Sequence, residues 1–201
     1  MPRIFLAVNF DEEFREAIGA YAGDLAPLFR KGRPSWVDPC LYHLTLRFFG
    51  ETGAQGLADI RTGLLSMAGV IPAPELITGG IGYLPSARTP RVLYLGLSES
   101  PGDCLAALAA ATGRIHARAG GVPETRPWRA HLTLARFREP RALAHPAPVP
   151  SPAPPPRHRS TPLSFDLMES TLGPRGPRYK VIESYPFAAR EDWRGPITAM
   201  R

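Results

Sequence analysis

The tetrapeptide His-Leu-Thr-Leu occurs twice in the chain, at residues 43–46 and again at residues 131–134. In an extended strand, residues two apart share a face, so each copy puts its histidine and threonine on one side and both leucines on the other. The leucines can anchor a core while the polar pair looks into a cleft. A single copy is read most simply as a half-exposed strand whose histidine bonds a neighbour. Two identical copies are not explained by packing, which would fix the leucines and leave the histidine and threonine free to differ. Whatever this chain folds into must therefore hold two strands whose polar faces converge.

The flanking segments supply the frame. Residues 4–8 (IFLAV) form a short apolar strand run, and Asn9 ahead of Glu12 predicts a helix start. Phe14, Ile18, Tyr21, Leu25 and Leu28 follow at steps of three and four, one face of that helix, which Lys31-Gly32-Arg33-Pro34 ends. Residues 36–49 read as one extended segment, with His43, Thr45 and Arg47 alternating against Leu44, Leu46 and Phe48. Leu57, Ile60, Leu64 and Met67 mark a second helix, and residues 76–83 and 92–97 a hairpin around a turn-rich stretch at 85–90. A third helix is predicted over 103–118, with Leu105, Leu108, Thr112 and Ile115 on one face and Gly120-Gly121 as its stop. A strand at 130–137 carries the second tetrapeptide. Residues 145–157 are too dense in proline for a helix or ladder and read as a surface loop; strand-like stretches at 163–172 and 178–187 close the chain. Irregular alternation with hairpins favours an α+β class with mainly antiparallel sheet over a doubly wound parallel one. A helix before each His-Leu-Thr-Leu strand suggests a duplicated lobe rather than a solenoid.

Composition sets bounds. With 44% hydrophobic and 21% charged residues the chain can build an ordinary core. The formal charge of +6 suits an anionic partner, although nearly all the cations are arginine, a bias that genome base composition also produces. Cys40 and Cys104 fit neither a disulfide framework nor a metal-ligand spacing. No apolar run approaches the roughly 20 residues that span a bilayer, and residues 1–8 lack a signal-peptide core, so a soluble, cytoplasmic protein is expected.

Two imidazoles and two hydroxyls converging on one spot suit a phosphate. A hydroxyl can donate to a nonbridging oxygen, and an imidazole titrating near pH 6.5 can act as base in one protonation state and acid in the other. Opening a cyclic phosphodiester uses both roles at once: one histidine takes a proton from attacking water while the other protonates the departing ribose oxygen. The histidines lack nearby Asp, Glu or Cys at metal-binding spacing, so no metal and no cofactor are expected.

The paired motif resembles the signature of the 2H phosphoesterase superfamily. Residues 4–10 before an acidic helix start, Trp36-Val37 ahead of the first motif, HLTLRFFGE at 43–51 and HLTLAR at 131–136 are similar to the bacterial and archaeal RNA 2',3'-cyclic phosphodiesterases, formerly called 2'-5' RNA ligases. The resemblance implies one bilobal domain over residues 1–201, with pseudo-twofold duplicated antiparallel sheets, helices outside and a central cleft. It implies hydrolysis of RNA or nucleotide 2',3'-cyclic phosphates to 2'-phosphomonoesters; a monomer without DNA specificity is expected. It also implies His43 as proton donor, His131 as proton acceptor, and Thr45, Thr133 and an arginine after the second motif, here Arg136, on the phosphate. By strict alternation Arg136 falls on the leucine face, so it reaches the cleft only if the strand ends, twists or bulges before it. Arg47, at an even offset from His43, has the parity for the cleft and is a further candidate.

Other features carry less. Phe48, Phe49 and Trp128 could stack on a base but are expected in the core. GPRGPRY at 173–179 reads as a hairpin tip or a cleft edge presenting Arg175, Arg178 or Tyr179. His145 and His158 are expected to be exposed, and His116 protonated in the last turn of its helix. The alternatives to hydrolysis of a cyclic end are a 2'-5' RNA ligase, a 2'-5' phosphodiesterase, and an RNA- or nucleotide-binding module without turnover.

Overall fold

The computed structural model describes residues 1–29, 34–100, 102–122, 124, 126–138, 154–174 and 176–189. The first strand, β1 (Arg3–Asn9), is covered on both faces: Ile4, Leu6 and Val8 enter the main core, while Phe5 and Ala7 join Met168 in a small second cluster. This is why it reads as an unbroken apolar run rather than an alternation. Helix α1 (Glu12–Leu25) is capped by a different residue from the one predicted. Its N-cap is Asp11, which accepts from the Phe14 amide at 2.8 Å, and Asn9 stays extended with its side chain donating to Asp166 Oδ2 at 2.7 Å. Phe14, Ile18, Tyr21 and Leu25 are buried as the spacing predicts. Leu28 is not, at 40% exposure: the chain tightens into a 3-10 helix over Ala26–Phe29, and the change of period gives its core position to Phe29.

The predicted extended segment at 36–49 is interrupted. A short strand β2 (Ser35–Trp36) is followed by a 3-10 turn at Pro39–Leu41, capped by Asp38 accepting from the Cys40 amide, before the first motif strand β3 (His43–Glu51) begins. Helix α2 (Ala54–Leu65) buries Ile60 and Leu64, and β4 (Glu75–Leu84) with β5 (Val92–Ser100) makes the expected hairpin. Helix α3 (Cys104–Arg118) lies against β3 and β5. Its first turn is tied to β5 by Glu99, whose carboxylate accepts from the Leu105 amide at 2.7 Å. The second motif strand β6 (His131–Arg136) is followed by β7 (Arg159–Ser160) and a closing hairpin of β8 (Ser164–Gly173) and β9 (Gly176–Pro186). Most of the proline-dense stretch lies outside the described residues; residues 154–157 have no regular structure, and the Pro156 carbonyl accepts from Thr78 Oγ1.

All these strands form one antiparallel sheet in the order β7-β4-β5-β6-β3-β1-β8-β9, with β2 paired to β6. The two motif strands are its centre. On one side of them lie β5, β4 and β7, on the other β1, β8 and β9, which is the duplication that the repeated tetrapeptide announced. The halves join edge to edge at a single paired position, Leu44 opposite Leu132, so they are parts of one continuous sheet rather than two sheets across a gap. The helices contribute to one apolar core with the leucine face of this sheet. Among the described residues no helix is long and apolar enough to cross a membrane.

Candidate active site

Both Leu44 and Leu132 are fully buried, so the residues on either side of each must point to the opposite face of the sheet. Continuing the antiparallel register by one residue sets His43 across from Thr133 and Thr45 across from His131. All four polar side chains thus sit on one face around a local twofold axis. The two histidines are diagonal neighbours, a relation that spaces Cα atoms by about 7–8 Å, close enough for the charge of His131 to act on His43.

Each imidazole is fixed in the same way. His43 Nδ1 donates to the carbonyl of Leu41 at 2.8 Å, and His131 Nδ1 donates to the carbonyl of Arg129 at 2.8 Å. A carbonyl only accepts, so Nδ1 carries the proton and Nε2 of the neutral ring is left to exchange one. The environments then diverge. His43 lies between Phe5 and Tyr179, with ring centroids 5.2 Å away in both cases. Burial lowers its pKa below the ordinary imidazole value; the bond to Leu41 opposes this, and the charges of Arg136 and His131 lower it further. His131 is edge-on to Tyr94 at 5.5 Å.

After each motif the strand bulges, and the bulges decide where the arginines go. Along β6 the register with β5 steps from Thr133 opposite Tyr94 to Ala135 opposite Leu93, so Leu134 is the extra residue. Leu134 and Ala135 are then both buried, and Arg136 returns to the histidine face. Its positive charge acts on both His43 and Tyr179, which places it at the His43 end of the site. Along β3 the register with β1 steps from Thr45 opposite Ala7 to Arg47 opposite Leu6, so Leu46 is the extra residue.

Arg47 is therefore corrected. The bulge reverses the parity that assigned it to the cleft, and its guanidinium lies against α3, where Nη2 donates to the Ala109 carbonyl at 2.8 Å. Gly113 leaves the space, since a Cβ there would lie 3.1 Å from Nη2. The residue presented on the cleft face in its place is Phe48, 65% exposed and in ring contact with Phe5, against the expectation of core burial. Phe49 is buried as expected, and Trp128 is half-buried.

Two contacts close the bulges reciprocally. Trp128, just ahead of β6, donates from Nε1 to the Thr45 carbonyl at 3.0 Å, and Val37, ahead of β3, donates from its amide to the Leu134 carbonyl at 2.9 Å. Each motif strand is thus held in shape by the approach to the other. His116, expected to be protonated at the end of α3, is instead shifted toward the neutral form by burial and by the Arg47 charge, with its ring edge-on to Phe49. His158 is half-buried with its amide donating to Thr78 Oγ1, while His145 and Arg175 lie outside the described residues. Sequence reasoning passes over Phe5 and Tyr94; for Tyr94 the signal is its place in VLYLGL, where it alternates against buried leucines and so faces the same way as the motif polar pair.

Comparison with known proteins places the chain in a family. The model of the family "LigT like Phosphoesterase" matches residues 8–94. The RNA 2',3'-cyclic phosphodiesterase of Thermus thermophilus is 31% identical, over 96% of each chain, and that of Archaeoglobus fulgidus 26% identical, over 91% of this chain and 99% of the relative. Among solved structures, the Thermus thermophilus protein TT0787 superposes with a TM-score of 0.73 at 30% identity, covering 92% of this chain and 97% of that one. E. coli LigT complexed with 3'-AMP gives a TM-score of 0.70 at 27% identity, over 93% and 99%. With the likeness running over nearly the full length of both chains, this protein belongs to the LigT-like phosphoesterases of the 2H family.

Proposed function

We propose that the protein hydrolyses the 2',3'-cyclic phosphate of an RNA end or nucleotide to a 2'-phosphomonoester, with the two imidazoles as the acid and base. The observation that carries this reading is the matched Nδ1 anchoring of two histidines on one sheet face, which leaves both Nε2 atoms to exchange protons. The names of the full-length relatives support the substrate class. In the reaction, water adds to phosphorus as one Nε2 accepts its proton, and the P–O3' bond breaks as the other Nε2 gives a proton to O3'. The protons balance over the turnover. Thr45 and Thr133 donate to nonbridging oxygens, and Arg136 offsets the charge that builds on them.

His43 is assigned as donor and His131 as acceptor by family resemblance, and the surroundings of His43 give that assignment a condition. In the free protein, burial, Arg136 and His131 all disfavour a charged His43. A phosphodiester anion beside the ring reverses this balance by favouring imidazolium, so the acid becomes armed as substrate binds.

The test is chromatographic identification of the product from an oligonucleotide with a 2',3'-cyclic end, with EDTA present. A 2'-phosphate is expected. A 3'-phosphate would assign the wrong leaving oxygen, a joined chain would favour the ligase, and binding without turnover would reduce the site to a binding module.

A further inference from the structure

His131 is the more open of the two imidazoles. His43 is held between two rings, whereas among the described residues His131 has one aromatic neighbour, Tyr94. A histidine at the first position of its strand, tethered by one hydrogen bond, keeps freedom about its last side-chain torsion, which has only a broad twofold preference. A wall beside the ring removes that freedom.

Tyr94 makes such a wall because of what lies under it. Gly82 is its cross-strand partner on β4, and a Cβ built at Gly82 would lie 2.6 Å from both Cζ and the hydroxyl oxygen of Tyr94. The tyrosine ring therefore lies down across the β4 backbone where any side chain would lift it. Gly96, the partner of His131 on β5, has no side chain to stand between the two rings. A Cβ at Gly96 would come 3.1 Å from the Gly80 carbonyl, so the bare stretch continues on the same strands.

We infer that Tyr94 is a positioning residue for His131, and that Gly82 holds Tyr94 in the lowered position this role requires. The inference deepens the proposed hydrolysis and rests on it for its kinetic consequences, but its structural part is independent of turnover. The two rings meet in a T-shaped contact, so the aromatic ring matters and the hydroxyl does not.

The experiment compares Gly82→Ala, Tyr94→Ala, the double variant and Tyr94→Phe on 2',3'-cyclic AMP, with the His131 tautomer read in the free proteins from imidazole 15N shifts. Gly82→Ala and Tyr94→Ala should each lower kcat on the order of tenfold, below the hundredfold that a full ångström of misplacement costs, with KM changed less than about twofold. The double variant should be no worse than Tyr94→Ala alone, because Gly82 acts only through that ring, and Tyr94→Phe should be near wild type. In the two single variants His131 should show mixed Nδ1-H and Nε2-H forms in place of one. Losses that multiply in the double variant, a loss confined to KM, or a single tautomer retained in Tyr94→Ala would each overturn the inference. Tyr94→Ala needs no extra room and carries the prediction even if Gly82→Ala does not fold. An inactive wild type would sink the hydrolytic reading while leaving the tautomer measurement to decide this one.

Discussion

The motif strands β3 and β6 begin identically and finish differently. Both carry His-Leu-Thr-Leu, both anchor Nδ1 to the carbonyl two residues upstream, and both insert an extra residue at the second leucine. Beyond the bulge, β6 buries Ala135 and turns Arg136 to the site, while β3 sends Arg47 under α3 and turns Phe48 to the site. The frame is symmetric and the chemistry is not. A cyclic phosphate has an attacking side and a leaving side, and two equivalent histidines cannot tell them apart. Under the proposed hydrolysis, the second residue after each bulge, Arg136 by His43 and the exposed Phe48 ring in the matching place on the other strand, would give the site a direction.

The largest effect should come from breaking what the strands share. His43→Ala and His131→Ala should each cost at least the roughly 10²–10⁴-fold that a positioned acid or base contributes, measured as kcat on 2',3'-cyclic AMP with chelator present. Undiminished turnover in either would contradict paired roles. Next come the positions where the strands differ. Arg136→Ala should lower kcat/KM by about 10²–10³-fold, the scale of losing one donor to a developing oxyanion. It should also move His43: the guanidinium disfavours imidazolium, so removing it raises the His43 pKa toward its ordinary value of about 6.5. If His43 is the donor, the high-pH limb of the rate profile then shifts upward; an upward shift of the low-pH limb with the high-pH limb unmoved would make it the acceptor.

Arg47→Met sharpens the same contrast, because it removes a similar cation that faces the helices. Turnover should stay within about threefold of wild type, while urea unfolding should report a loss of about 1–2 kcal/mol from the lost bond to Ala109 and lost packing. A drop in kcat/KM matching that of Arg136→Ala would return Arg47 to the cleft. The smallest effect concerns stability and pH. His43 and His116 both have lowered pKa values, so the unfolded chain binds protons more readily than the folded one as pH falls through its value near 6.5. Stability should be complete above that pH and decline below it, and His116→Phe should flatten the decline.

Periodic elements are legible in this sequence and aperiodic ones are hidden. The stripe of α1, the β4–β5 hairpin and the inward face of α3 follow from spacing alone, because each side chain's place depends only on its own position in a regular element. The two motifs are legible because they repeat. A bulge leaves no mark in a two-residue period, and one inserted residue reverses every assignment beyond it. That is why strict alternation puts Arg47 in the cleft and Phe48 in the core, and why Arg136 is kept only on the condition of a bulge, which the strand meets at Leu134. The break at Pro39–Leu41 does leave a mark, since Asp38-Pro39 is a cap followed by proline at the first helical position. The contacts of Trp128 and Val37 on the opposite bulges join segments far apart in the chain, and no local pattern carries them.

Whether two imidazoles serve one phosphorus atom is read directly by titrating the protein with 2'-AMP while following the ring nitrogens of His43 and His131 by 15N NMR. One saturable event that moves both Nε2 resonances together, at a stoichiometry of one nucleotide per chain, is the predicted result. Rings that respond at separate concentrations, or a single ring that responds while the other stays still, would mean that the histidines do not share a phosphate.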